Sequence, residues 1–179
     1  MSGETGTGNT GGGEPTVGPN GKPMESVWDY PRPPRLDPVD WRIRVYHGEI
    51  LLVDAPNAVR VLETSQPPAY YVDGRYVNHD HLRQSAMRTY CEWKGPAAYV
   101  DVVPNGDPNG AVVADAGWYY PTPNQSFAAI TDHFAFYAQK LRCLVDDEEV
   151  DPNDGSFYGG WITSNVTGPF KGAPGTMHW

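Results

Sequence analysis

Cys91, Glu92, Trp93 and Lys94 stand in consecutive positions within RTYCEWKGPAAY, just ahead of Gly95-Pro96. A thiol becomes nucleophilic when a nearby cation lowers its pKa. Lys94 is the cation of this stretch that could swing toward the thiol. In an extended strand, side chains alternate, so Thr89, Cys91 and Trp93 share one face and Tyr90 and Glu92 the other. Lys94 then falls opposite Cys91 unless a turn or bulge at Gly95-Pro96 re-aims it. Glu63, in LETSQPP, is the carboxylate best placed to meet Lys94, and Thr64 adds a hydroxyl beside it. Two plain alternatives stand next to this chemistry. Cys91 reads equally as a small buried hydrophobe, and Glu63 with Lys94 as a strand-edge ion pair.

His133 precedes FAFY and shares a strand parity with Tyr137. It is a candidate general base, or a ring bonded to a backbone carbonyl. His79 and His81 are spaced for a strand face, but their surroundings read as a turn or short helix, so no metal site is expected there. Phosphoryl or nucleotidyl transfer calls for clustered carboxylates and a phosphate-cradling glycine turn. Asp146-Asp147-Glu148-Glu149 reads instead as a solvated hairpin, and Gly159-Gly160 falls late in the chain. The aromatic residues are more suggestive. Alternation puts Trp118 and Tyr120 on one strand face and Tyr119 on the other, so one set can pack inward while the other, with Tyr71 and Trp93, walls a cleft.

These groups need a scaffold of strands. From Trp41 onward the chain runs in short alternating or apolar segments: RIRVY, EILLV, AVRVL, AYYV, TYC, AAYVDVV, VVADAGWYY, HFAFYA and RCLVD. They predict a mainly antiparallel β protein. His47-Gly48 and Asp73-Gly74 read as tight hairpins and PNGDPNG at 104–110 as a longer turn. Short helices are expected near residue 78, with Asn78 as N-cap, and in NQSFAAITDH from residue 124. Residues 1–25, with eight glycines and little apolar content, predict a disordered tail. Residues 26–40 predict a Pro-rich extended segment, 41–150 the folded domain, and 151–179 a Gly/aromatic extension that packs back on it or forms a homo-oligomer contact.

The 179 residues carry 13 basic against 22 acidic side chains, a net charge of -9, which disfavours nucleic-acid backbones and anionic membranes. No apolar run approaches the roughly 20 residues of a membrane span, and the start lacks a signal-peptide pattern. A cytoplasmic protein with two reduced cysteines, Cys91 and Cys143, is expected. The Asn165-Val166-Thr167 match to a glycosylation acceptor is then without meaning.

RVYHGEILLVDAPNAVRVLETSQPPAYYV, RTYCEWKGPAAYVDVV and DAGWYYPTPNQSFAAITDHFAFY, in that order, resemble the domain-of-unknown-function family 427, which also carries a nucleotidyltransferase-like heading. The resemblance covers roughly residues 41–150. It implies a β-tent-like fold of two roughly perpendicular antiparallel sheets with one or two short helices. Similar β-tent modules hold a structural zinc with paired CxxC motifs and present an aromatic cage to small molecules. Two isolated cysteines cannot form a four-thiolate site, so neither metal nor cofactor is expected. The foremost expectation is a cleft for a small polar, nucleotide-like molecule, with Glu63, Thr64, Tyr71, Thr89, Trp93, Lys94, Trp118 and Tyr120 around it. The alternatives are an enzyme using Cys91 or His133, nucleotidyltransferase-like or otherwise, and a protein-interaction module.

Overall fold

The computed structural model describes residues 16–104 and 111–179. In chain order its strands are β1 (Glu25–Ser26), β2 (Arg35–Val39), β3 (Ile43–His47), β4 (Ile50–Ala55), β5 (Ala58–Leu62), β6 (Ala69–Asp73), β7 (Leu82–Cys91) and β8 (Gly95–Val102). There follow β9 (Val113–Tyr119), β10 (His133–Phe136), β11 (Arg142–Val145), β12 (Glu148–Glu149), β13 (Asp151–Pro152), β14 (Trp161–Ile162) and β15 (Val166–Thr167). Seven strands form one antiparallel sheet in the order β2-β5-β6-β10-β9-β8-β7, and four form a second in the order β12-β11-β3-β4. Among the described residues the helical content is four short 3-10 segments, of which Gln125–Ile130 is the longest. The fold is mainly β, as the alternating segments predict.

Strand alternation gives the large sheet two unlike faces. Tyr70, Val72, Val100, Phe134 and Phe136 point toward Ile43, Val45, Leu52 and Val53 of the smaller sheet and form the main core. The residues between them in sequence, including Tyr71, Tyr99, Trp118, Ala135 and Tyr137, point the other way into a second cluster. Phe127 and Ile130 cover part of that second face. The remainder of it is where the candidate site lies.

The extension after Val150 closes over the sheet. Trp161, 2 % exposed, stacks on Tyr70 at 5.0 Å and donates its indole N–H to the carbonyl of Phe136 at 2.8 Å. β15 pairs in parallel with β1, tying the extension to the N-terminal segment.

All nine expected segments form strands, and the differences lie at their edges. Residues 35–39 are not merely extended but the edge strand β2. Pro38 is compatible with it, because an edge strand pairs on one side only. β7 begins at Leu82, well before the predicted TYC. Asp73-Gly74 is not a hairpin: β6 lies between β5 and β10, and the Asp73 carboxylate instead caps a 3-10 turn by accepting from the Arg75 N–H at 3.0 Å. His47-Gly48 does lead the β3–β4 reversal, with Gly48 at φ 57°, and the Asn78 side chain does cap residues 79–81. Of the longer turn expected at 104–110, residues 105–110 lie outside the described residues, as does the tail through residue 15. Disorder over 16–25 is corrected. Val17 bridges Pro23, and the Lys22 ammonium, 9 % exposed as a residue, meets the Asp146 carboxylate at 2.6 Å. Long-range partners order a segment whose own composition would not.

Candidate functional site

A cavity of about 280 Å³ opens on the aromatic face of the large sheet. Its floor is built by cross-strand neighbours. Tyr99 of β8 lies opposite Trp118 of β9, Trp118 lies opposite Ala135 of β10, and Thr89 of β7 lies opposite Ala97. Residues directly opposite share a face, so an aromatic at the right parity on each strand makes a continuous ring-lined surface. Trp118 packs on Tyr137 at 4.6 Å and donates its indole N–H to the Tyr71 hydroxyl at 3.0 Å. The Thr89 and Tyr99 hydroxyls are hydrogen-bonded at 2.9 Å. Burial pushes the Tyr71, Tyr120 and Tyr137 phenols up, so all three remain neutral donors near pH 7.

One wall is the turn that follows β7. The strand ends at Cys91, and residues 92–94 turn before β8 begins at Gly95. Alternation stops there, and for that reason Lys94 reaches the same cavity as Cys91 and Trp93. Gly95 adopts φ 102°, which a side chain would oppose. Asn124 pins the turn from outside: its side-chain amide donates to the Trp93 carbonyl at 2.7 Å and its backbone N–H to the Lys94 carbonyl at 2.9 Å. The ammonium of Lys94 lies 5.7 Å from the centre of the Tyr120 ring. Burial pulls its pKa down, but Tyr71, Cys91 and Glu63 push it up and prevail, so the side chain is cationic at neutral pH.

The opposite wall comes from the extension. Phe157, Tyr158, Gly159, Gly160 and Lys171 line the cavity. A Cβ at Gly159 would fall 2.3 Å from the Trp118 ring, and one at Gly160 2.2 Å from the Pro67 carbonyl. The pair lies flat on the floor because nothing larger than hydrogen fits.

Of the residues singled out from sequence, Glu63, Tyr71, Thr89, Cys91, Trp93, Lys94, Trp118 and Tyr120 all border this one cavity. Two do not. Thr64 turns its hydroxyl to the Tyr30 carbonyl at 2.5 Å and anchors the Pro-rich segment. His133 sits at the far end of β10, paired with Asp73, its Nδ1 2.9 Å from the Thr131 carbonyl, and does not line the cavity with Cys91. The Glu63–Lys94 ion pair is also corrected. Glu63 accepts from the Gln66 amide at 2.6 Å and lies 3.7 Å from the Arg32 guanidinium, and among the described residues no ion pair joins it to Lys94. Tyr99 and Tyr137 were legible by parity but not singled out; the extension's contribution had no local signal.

His79 and His81 face different backbone carbonyls, those of Gly74 and Val103. Among the described residues no three His, Cys, Asp or Glu side chains are grouped to hold a metal ion. Both cysteines are free thiols. Asn165, fully buried, bonds Asn20, Thr163 and Pro23. No helix among the described residues is long and apolar enough to cross a membrane.

No curated protein matches the chain in sequence. The model of the domain of unknown function DUF427 matches residues 35–147, more than half of the sequence, and the chain belongs to that family.

Proposed function

We propose that this protein binds a small, planar, polar molecule in the aromatic cavity, on a β-tent-like scaffold. The observation that carries this reading is the space itself. Rings of the second cluster border about 280 Å³, together with polar side chains that include Thr89, Lys94 and Lys171. Ligand sites combine mostly apolar walls with a few fixed polar groups in this way. The family domain supplies the floor and the turn at 92–94, while residues 157–171, beyond the family match, supply the outer wall. Trp93 and Trp118 border the space, so occupancy has an intrinsic reporter. Titration with nucleosides, nucleotides and simple heteroaromatic compounds should quench tryptophan fluorescence and raise the melting temperature together. No change in either signal across that panel would reject the reading.

A second reading, that Cys91 acts as a nucleophile, is favoured by its place in the same cavity beside Lys94. It requires alkylation of Cys91 by iodoacetamide at pH 7 to run well ahead of a model thiol. An ordinary rate removes it.

A further inference from the structure

We infer that the ligand of this cavity is a planar monocarboxylate, its carboxylate taken by Lys94 and its ring laid against the aromatic floor. The inference rests on the cavity being a binding site and adds which chemistry fills it.

The Lys94 ammonium carries three donors; its neighbours are Tyr71, the Cys91 thiol and the Tyr120 ring at 5.7 Å, and among the described residues it enters no ion pair. The Cys91 thiol is a neutral partner, and a half-buried ammonium that meets no carboxylate is costly, so the surrounding structure normally supplies one. The nearest carboxylate of use, Glu63, is already engaged by Arg32 and Gln66. The lysine is not free to swing away into water with its backbone, because Asn124 holds the Trp93 and Lys94 carbonyls on either side of it. A cation held on a pinned turn is therefore presented to a space bordered by aromatic rings, those of Tyr71 and Tyr120 among them.

Charge decides between acids. The cavity is bordered by Lys94 and Lys171 and by Glu63 and Glu92, so its formal charges cancel. One added negative charge is matched by Lys94 alone. A phosphate group, at roughly −1.5 to −2 near pH 7, and still more a triphosphate, exceeds what Lys94 alone offsets and leaves only Lys171, on the opposite wall, to set against the two carboxylates. The aromatic lining accounts for the ring: Tyr71, Tyr99, Trp118 and Tyr137 all border the cavity, and a planar ring can pack face or edge against such side chains.

The test uses the full chain, indole-3-carboxylate and the neutral indole-3-carboxamide as probes, and titration calorimetry. The acid should bind at least about tenfold more tightly than the amide, the scale of a hydrogen-bonded charge pair. Lys94→Met, close in volume, should erase that preference. Equal affinity for acid and amide in the unaltered protein, or a preference that survives Lys94→Met, overturns the inference while amide binding still upholds the cavity as a site. Binding of neither probe overturns the inference, and the fluorescence panel then decides the cavity separately.

Discussion

Replacing Trp161 by Ala tests whether the extension is part of the folding unit or a strap laid on a finished domain. The indole is 2 % exposed, stacks on Tyr70 with an 18° interplanar angle, and belongs to the same buried cluster as Ile43, Val53 and Phe136. Truncating a buried aromatic to Ala costs about 3–5 kcal/mol through lost transfer energy and the cavity left behind. The Phe136 carbonyl also loses its 2.8 Å donor, and an orphaned buried acceptor costs about 1–3 kcal/mol of its own unless water enters. Trp161→Phe separates the two effects, since it keeps most of the ring packing and removes only the N–H. The expected order is therefore wild type, then Trp161→Phe lower by about 1–3 kcal/mol, then Trp161→Ala lower by about 3–5 kcal/mol or more. For a chain of this size each kcal/mol moves the melting temperature by roughly 2–4 °C, so Trp161→Ala should melt some 6–20 °C below wild type. Urea unfolding followed by far-UV circular dichroism and by tryptophan emission measures both variants. A loss below about 1 kcal/mol for Trp161→Ala, with two separate transitions, would refute the reasoning, because the extension would then be peeling from an independent domain.

Two other expectations follow from the same geometry. Gly159→Ala places a methyl 2.3 Å from a Trp118 ring held by its bond to Tyr71, so the extension must lift from the floor; a loss of about 1–3 kcal/mol is expected in denaturant melts, with a shift in tryptophan emission, and wild-type stability would disprove the close contact. For Asp146, burial alone would raise the carboxyl pKa, but the Lys22 ammonium, the Arg42 N–H and the Arg44 charge lower it overall. A depressed folded-state pKa stabilises the protein above the unfolded value near 4 and is lost as pH falls through the folded value, so Asp146→Asn should flatten the stability profile below about pH 4. An unchanged profile would show that the pair with Lys22 is not formed in solution.

Much of the fold was legible because strands declare themselves locally. The segments from RIRVY to RCLVD alternate or run apolar between turn residues, and each forms a strand. Parity then divided Trp118 and Tyr120 from Tyr119, and the same division separates the two buried clusters. Asn78 capped its turn through its own next neighbours. The misreadings have a shared cause in distant partners. Residues 35–39 pair only because β5 offers a free edge, residues 16–25 are held by Asp146 and Asn165, and Thr64 and His133 were claimed by backbone carbonyls that composition cannot reveal.

The sequence by itself determined the strands, the two faces of each, and the aromatic and polar residue types available to one of them, since these depend on side-chain period and turn chemistry alone. Only the tertiary structure decided that Lys94 leaves the alternation at the end of β7, that Glu63 turns to Arg32, and that Gly159 and Gly160 bring the extension onto Trp118 and Pro67. Those outcomes depend on the order of strands in the sheet and on close approach between segments far apart in the chain, quantities that no local pattern of residues encodes.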